Sequence, residues 1–341
     1  MAWPMLMSHL GRPEEGVYDD ASSMKPVADH LTRLGVRADA SDVVTSAQAA
    51  ARVLGARLEA GARVVLLGAD GLEQALLAEG LTPVGVEDDA DAVVTGYGPD
   101  VLWRDVMRAA VRIRDGLRWV ASNTDMSIPT PYGTAPGHGV LVETLRRFTG
   151  VDPVVAGKPE RPLLEETIRR VGGERPLMVG DRLDTDIEGA VRLGIPSLLV
   201  RTGVSGLGEL VAARREERPT YLAADLSGLL RPHPQVHQDG GAWECGGWRA
   251  QVVDGALRVV GEGTPDDWWR AAASAAWTHL DEVGDVVDVA AVHPPADDVG
   301  ASGDALSLAP LQMEKYVTAA RRIAGQAAKT VAREDSSAEP I

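Results

Sequence analysis

The chain has 341 residues, 45% of them apolar, enough for two compact domains and a third small one. Its net charge of −16 argues against nucleic acid or an anionic membrane as partner. It leaves a small phosphorylated metabolite open, because an anion is bound by local donors and metal. Cys245 is the only cysteine, so an internal disulfide is excluded; no 18-residue apolar run occurs, and the opening Met-Ala-Trp-Pro-Met-Leu-Met is too short for a signal peptide. A cytoplasmic location is the expectation.

In chain order, helical periodicity covers residues 26–34 and 47–58, a β-branched run covers 63–68, and a helix covers 72–79. A strand at 92–95, a helix at 103–115 and a strand at 117–122 follow, then a helix at 140–148 and a strand at 153–156. The series closes with a helix at 162–171, a strand at 176–180, a helix at 186–193, a strand at 196–201 and a helix at 208–215. Such alternation predicts an α/β fold, a parallel sheet with helices on both faces. Ligands of such sheets bind beyond the carboxyl ends of the strands. Beyond these elements, 231–241 reads as a linker and 247–260 as two strands around an Asp254-Gly255 hairpin turn. A helix is expected over 265–279, then a strand near 286–292, a flexible stretch over 293–309 and an amphipathic helix over about 311–332.

Chemistry concentrates at three places. In Pro176-Leu-Met-Val-Gly-Asp-Arg-Leu-Asp-Thr-Asp-Ile-Glu-Gly-Ala an apolar strand runs into Asp181, and Asp184 and Asp186 crowd the same loop. Clustered carboxylates repel unless a cation or donors offset them, and an oxygen-rich loop suits Mg2+. The plainer alternative is a helix cap, which suits Asp184 best. In Ala156-Gly-Lys-Pro, Lys158 leaves a strand through a glycine, where a point charge can reach a phosphate or carboxylate; otherwise it is a solvated loop lysine. Ala121-Ser-Asn-Thr-Asp-Met-Ser begins a Gly/Pro-rich loop able to shape a substrate mouth, with Asn123 and Asp125 as its polar candidates. His138 follows on a glycine-rich loop, where it is either a substrate contact or simply exposed. The tryptophans Trp243, Trp248, Trp268, Trp269 and Trp277 read as core of a small domain, and Cys245 as an idle thiol.

The order Ala-Ser-Asn-Thr-Asp…Pro-Gly-His-Gly, then Ala-Gly-Lys-Pro, then Val-Gly-Asp-Arg-Leu-Asp-Thr-Asp, resembles the haloacid dehalogenase superfamily. Within it the resemblance is to members with a large inserted α/β cap (the C2 type), notably the actinobacterial glycerol-3-phosphate phosphatases, which also carry a C-terminal extension. Asp42-Val-Val-Thr-Ser-Ala-Gln looks like the start of the cap, and Arg218-Pro-Thr-Tyr-Leu-Ala-Ala-Asp-Leu like the end of the core. The resemblance implies a Rossmann-like parallel core with an α/β cap and a small α+β C-terminal domain. It implies a Mg2+-dependent phosphoric monoester hydrolase with Asp181 on the metal, Lys158 on the phosphoryl group and Asp186 orienting the lysine or a metal-bound water. Asn123 and Asp125 would face substrate. The expected division is 1–35 as an atypical start, 36–130 as cap, 131–231 as core and 232–341 as extension. A homodimer through the cap is the expected protein contact.

One part of the pattern does not fit. Family members open on a buried strand ending in Asp-x-Asp-Gly, whose first acid attacks phosphorus. No such motif precedes residue 42 here, and Gly68 stands where Leu66-Leu-Gly-Ala-Asp-Gly would need its nucleophile. Residues 4–32 instead resemble an early piece of phosphoglycerate kinase: Ser-His-Leu-Gly-Arg-Pro would make His9 and Arg12 anion contacts. A join between two genes near 30–35 follows, with a core sheet incomplete at the N-terminus. A catalytically silent metal- or phosphate-binding relative is therefore the alternative to a phosphatase, and a phosphoglycerate-binding kinase fragment is a second one.

Overall fold

The computed structural model describes residues 6–8, 24–33, 39–130, 133–172 and 174–295. His9, Arg12 and the helix expected over 311–332 lie outside the described residues, as does most of 293–309. The chain divides into two compact units at residue 173.

The first unit begins with β1 (Leu6–Ser8), α1 (Met24–Arg33) and β2 (Val43–Thr45), with β1 and β2 paired in parallel. Helix α2 (Ser46–Gly55) starts on a reciprocal cap: the Gln48 amide donates to Thr45 Oγ1 at 3.3 Å and the Thr45 amide to Gln48 Oε1 at 3.2 Å. Then follow β3 (Arg63–Leu67), α3 (Asp70–Ala78), β4 (Thr82–Val84), β5 (Ala92–Thr95), α4 (Trp103–Arg114) and β6 (Arg118–Ala121). A hairpin of β7 (Ser127–Thr130) and β8 (Gly133–Pro136) leads to α5 (His138–Thr149), β9 (Val154–Val155) and α6 (Arg161–Val171).

Five of these strands form one parallel sheet in the order β4-β3-β5-β6-β9. Alternating side chains serve its two faces. Val64, Val94 and Val120 pack with Leu54, Leu76 and Leu163 from α2, α3 and α6. Val65, Val93 and Trp119 pack with Val106, Ile113, Val142 and Leu145 from α4 and α5. The expected boundary near 130 falls inside this unit, because Val154 and Val155 of β9 pair with Val120 and Ala121 of β6.

The second unit holds β10 (Met178–Gly180), α7 (Glu188–Leu193), β11 (Ser197–Val200), α8 (Leu207–Val211) and β12 (Tyr221–Ala223). Its parallel sheet has the order β10-β11-β12, so β10 is an edge strand among the described residues. An antiparallel sheet of β13 (His237–Asp239), β14 (Ala242–Cys245), β15 (Trp248–Val253) and β16 (Ala256–Gly261) comes next, then α9 (Pro265–Val283). Asp254 and Gly255 make the expected turn, at φ of 49° and 77°. The linker expected over 231–241 instead supplies β13, and the strand expected near 286–292 reduces to one bridge between Ala256 and Asp288. The C-terminal extension is no separate body. Trp268, Trp269, Ala272 and Ala276 of α9 share one apolar cluster with Leu183, Ile187, Leu199 and Leu222.

Candidate active site

Strand β10 ends at Gly180 and delivers Asp181, as the apolar run predicts. The chain then makes a π-helical turn over Leu183–Ile187 before α7. Wide turns of this kind are frequent at functional sites. Asp186 is buried, and its Oδ2 accepts hydrogen bonds from the backbone amides of Asp181 and Arg182, both at 3.2 Å. Asp186 therefore organises the loop from inside. The capping expected of Asp184 does not occur: its carboxylate lies exposed against the Arg182 guanidinium, with contacts of 3.0 and 2.7 Å.

Asp181 is held from the next loop. The Val204 amide donates to Asp181 Oδ2 at 3.0 Å, the Ser205 amide to the Asp181 carbonyl at 3.1 Å, and the Leu183 amide to Ser205 Oγ at 3.1 Å. Two glycines make room for the acids. A Cβ on Gly203 would overlap the Asp181 carboxylate, and one on Gly180 would overlap the Asp186 side chain.

Among the described residues no group of three or more His, Cys, Asp or Glu side chains could cage a metal ion. The two acids do match what Mg2+ asks of a protein: one or two carboxylates, with waters and phosphate oxygens supplying the remaining ligands.

The other three sequence candidates belong to the first unit. Asn123 and Asp125 follow β6, and Lys158 follows its neighbour β9, so all three lie at carboxyl ends of adjacent strands. Asn123 is buried and serves its own loop: Oδ1 accepts from the Asp125 amide at 3.2 Å, and Nδ2 donates to Ser122 Oγ at 3.3 Å. Asp125 and Lys158 are half-buried.

His138, expected on the surface, is buried, with Nδ1 2.9 Å from the Asn123 carbonyl. Burial pushes its pKa down to about 4, against the raising effect of that carbonyl. The neutral ring donates through Nδ1–H and pins the loop to the start of α5. Gly139 sits against the Thr124 carbonyl, where a Cβ would not fit. Sequence reading missed this because a lone histidine between glycines carries no burial signal.

A cleft of about 610 Å³ in the same unit is lined by Gly85, Glu87, Asp88, Arg104, Asp105 and Arg108 and contains none of the sequence candidates. Its charges are engaged with one another, as in the Arg108–Glu87 contact of 2.7 Å, and it reads as solvated surface.

Residues 19–82 match the family model of a haloacid dehalogenase-like hydrolase, and residues 155–229 match a HAD-hydrolase-like model. The chain is 44% identical over 268 residues to D-glycerol 3-phosphate phosphatase from Mycobacterium tuberculosis, covering 75% of this chain and 74% of that protein. The chain belongs to the haloacid dehalogenase-like hydrolases. A 5'-nucleotidase of Bacillus subtilis is 37% identical, over 60% of this chain and 78% of its own length. The crystal structure of glycerol phosphate phosphatase from M. tuberculosis in complex with magnesium superposes with a TM-score of 0.69 at 44% identity, covering 76% of this chain and 79% of that one. By family, this haloacid dehalogenase-like hydrolase is a phosphoric monoester hydrolase. The family match begins at residue 19, ahead of the join expected near 30–35, and none of these matches is to a kinase. Among the described residues no helix is long and apolar enough to cross a membrane.

Proposed function

We propose that this chain is a Mg2+-dependent phosphatase for a small, glycerol 3-phosphate-like monoester. The 44% identity to D-glycerol 3-phosphate phosphatase carries the reading. The match over 155–229 supports it, because that segment contains Lys158, Asp181 and Asp186. Asp181 would hold Mg2+, with Asp186 fixing the turn that presents it. When bound, the ion neutralises charge on the transferring phosphoryl group. Lys158 takes the role of phosphoryl contact, a compact charge on a short loop. Asn123 shapes its loop so that Asp125 can accept a hydrogen bond from a substrate hydroxyl. The cap is assigned to the first unit, from about residue 36 onward and without a boundary at 130, since β9 returns there to pair with β6.

A homodimer through this cap is part of the proposal. Trp103, Met107 and Val111, spaced four apart on α4, are 62%, 51% and 39% exposed and form an apolar stripe. Sedimentation of wild type beside Trp103→Glu tests it. A cytoplasmic location accords with the single, buried Cys245, whose thiol burial and Asp267 push up to about 11.

One observation favours a second reading, a relative that binds Mg2+ and phosphate without turnover: no Asp-x-Asp-Gly precedes residue 42. The deciding experiment assays the protein with p-nitrophenyl phosphate and glycerol 3-phosphate in Mg2+, beside Asp181→Asn. Turnover that vanishes in the variant supports the phosphatase. A folded protein that binds Mg2+ and inorganic phosphate but turns over neither ester supports the second reading.

A further inference from the structure

The loop that cradles Asp181 begins at Arg201, and Arg201 is not held by the parallel sheet alone. Its backbone amide donates to the Ala223 carbonyl at 3.1 Å, continuing the β11–β12 pairing. Its side chain, 5% exposed, reaches Asp266 in the first turn of α9, with Nη2 3.3 Å from Oδ1. The guanidinium lies over the Trp269 ring, 4.5 Å from its centroid. Asp266 is itself buried, and its Oδ1 also accepts from the Ala224 amide at 2.7 Å, just beyond β12. One carboxylate of the C-terminal extension thus joins the exits of two parallel strands. A second tie lies one turn later: Arg270 donates to the Leu222 carbonyl at 2.8 Å and to Asp267 at 2.7 Å.

Burying a charge is costly without a partner, and a buried ion pair is seldom the most stabilising use of a core position. Here the pair ties two segments to one carboxylate, since Asp266 Oδ1 takes both the Arg201 side chain and the Ala224 amide. Three residues after Arg201, the same loop offers the Val204 amide to Asp181 and then Ser205 to Leu183. Gly203, just before Val204, can approach the Asp181 carboxylate only if the loop keeps its path.

We propose that Asp266 and Trp269 of the extension, acting through Arg201, are positioning residues for the acid loop: they set where Val204 and Ser205 stand and hence how Asp181 is presented to a divalent cation. This rests on the metal role of Asp181 proposed above. It gives the C-terminal extension a task in the chemistry of the core.

The test compares Asp266→Ala with Asp281→Ala. Both remove an ion pair between α9 and the parallel-sheet layer, since Asp281 receives Arg218 at 2.8 Å, but Asp281 is remote in sequence from the Arg201 clamp. Amide hydrogen exchange over 181–187 and 201–206, and calorimetric titration with Mg2+ alone, are measured on the full chain. Asp266→Ala is expected to speed exchange in both segments and weaken Mg2+ binding about ten-fold, as losses of outer-shell support do. Asp281→Ala is expected to leave both readings at wild-type values while lowering the melting temperature. Asp266→Asn, which keeps the acceptor for Ala224, is expected to recover part of the affinity. Unchanged exchange and affinity in Asp266→Ala, or equal changes in both alanine variants, overturn the proposal. If exchange follows Asp266 as expected but wild type binds no Mg2+, the metal reading of Asp181 fails and the clamp stands.

Discussion

Two loops at strand ends solve opposite problems with the same device. After β6, residues 123–126 are drawn against the start of α5: Gly139 lets the Thr124 carbonyl approach, and a neutral His138 closes on Asn123. After β10, residues 181–187 are drawn against the loop after β11, and there Gly203 and Gly180 make space for carboxylates. The first loop uses the Asn123 side chain to hold its own backbone. The second brings two acids together and offsets them with backbone amides, the arrangement on which the proposed Mg2+ role rests. Close backbone approach is thus neutral in purpose; the side chain delivered into the space decides whether the loop shapes or reacts.

Glycine replacement tests that contrast most strongly. Gly139→Ala and Gly180→Ala should each cost about 3 kcal/mol of stability, because neither the Thr124 carbonyl nor the buried Asp186 can move aside cheaply. Denaturant unfolding measures the cost. Titration should then separate the loops, with Mg2+ binding kept in Gly139→Ala and lost in Gly180→Ala.

Acid separates them next. The His138 pKa is lowered in the folded state to about 4, so below its ordinary value of 6.5 the unfolded chain takes up the proton first. Stability therefore falls as pH drops from about 6.5 to 4, by up to about 3 kcal/mol from this group. His138→Asn should lose that part of the slope, read from unfolding curves at several pH values.

A smaller effect is expected of Asp186→Ala. It leaves the Asp181 and Arg182 amides without their acceptor at a cost of about 2 kcal/mol, and it should abolish Mg2+ binding. Asp184→Ala marks the low end. Its pair with Arg182 is exposed, so the unfolding free energy should change by less than about 1 kcal/mol, with Mg2+ affinity retained.

Much of this is legible in the sequence. Long apolar runs bounded by glycine or aspartate revealed β3, β5, β6 and β11, because strands buried on both faces need near-continuous β-branched residues. The Gly-Asp-Arg-Leu-Asp-Thr-Asp run placed Asp181 at a strand end for the same reason. Short or polar elements escaped: β13 is His-Gln-Asp, exposed throughout, and exists only because β14 pairs with it. The hairpin of β7 and β8 likewise lacks an apolar pattern.

Sequence by itself determined the family, the alternation of strands and helices, and the identity of the acids, since these reside in local patterns of hydrophobicity and short motifs. Tertiary structure alone decided which acid serves the backbone, that Asp184 faces solvent while Asp186 is buried, and that His138 is neutral. It also decided that α9, far along the chain from Asp186, shares the core of the acid loop through Trp268 and Trp269. These outcomes depend on desolvation and on contacts between residues distant in the chain. No local pattern encodes them.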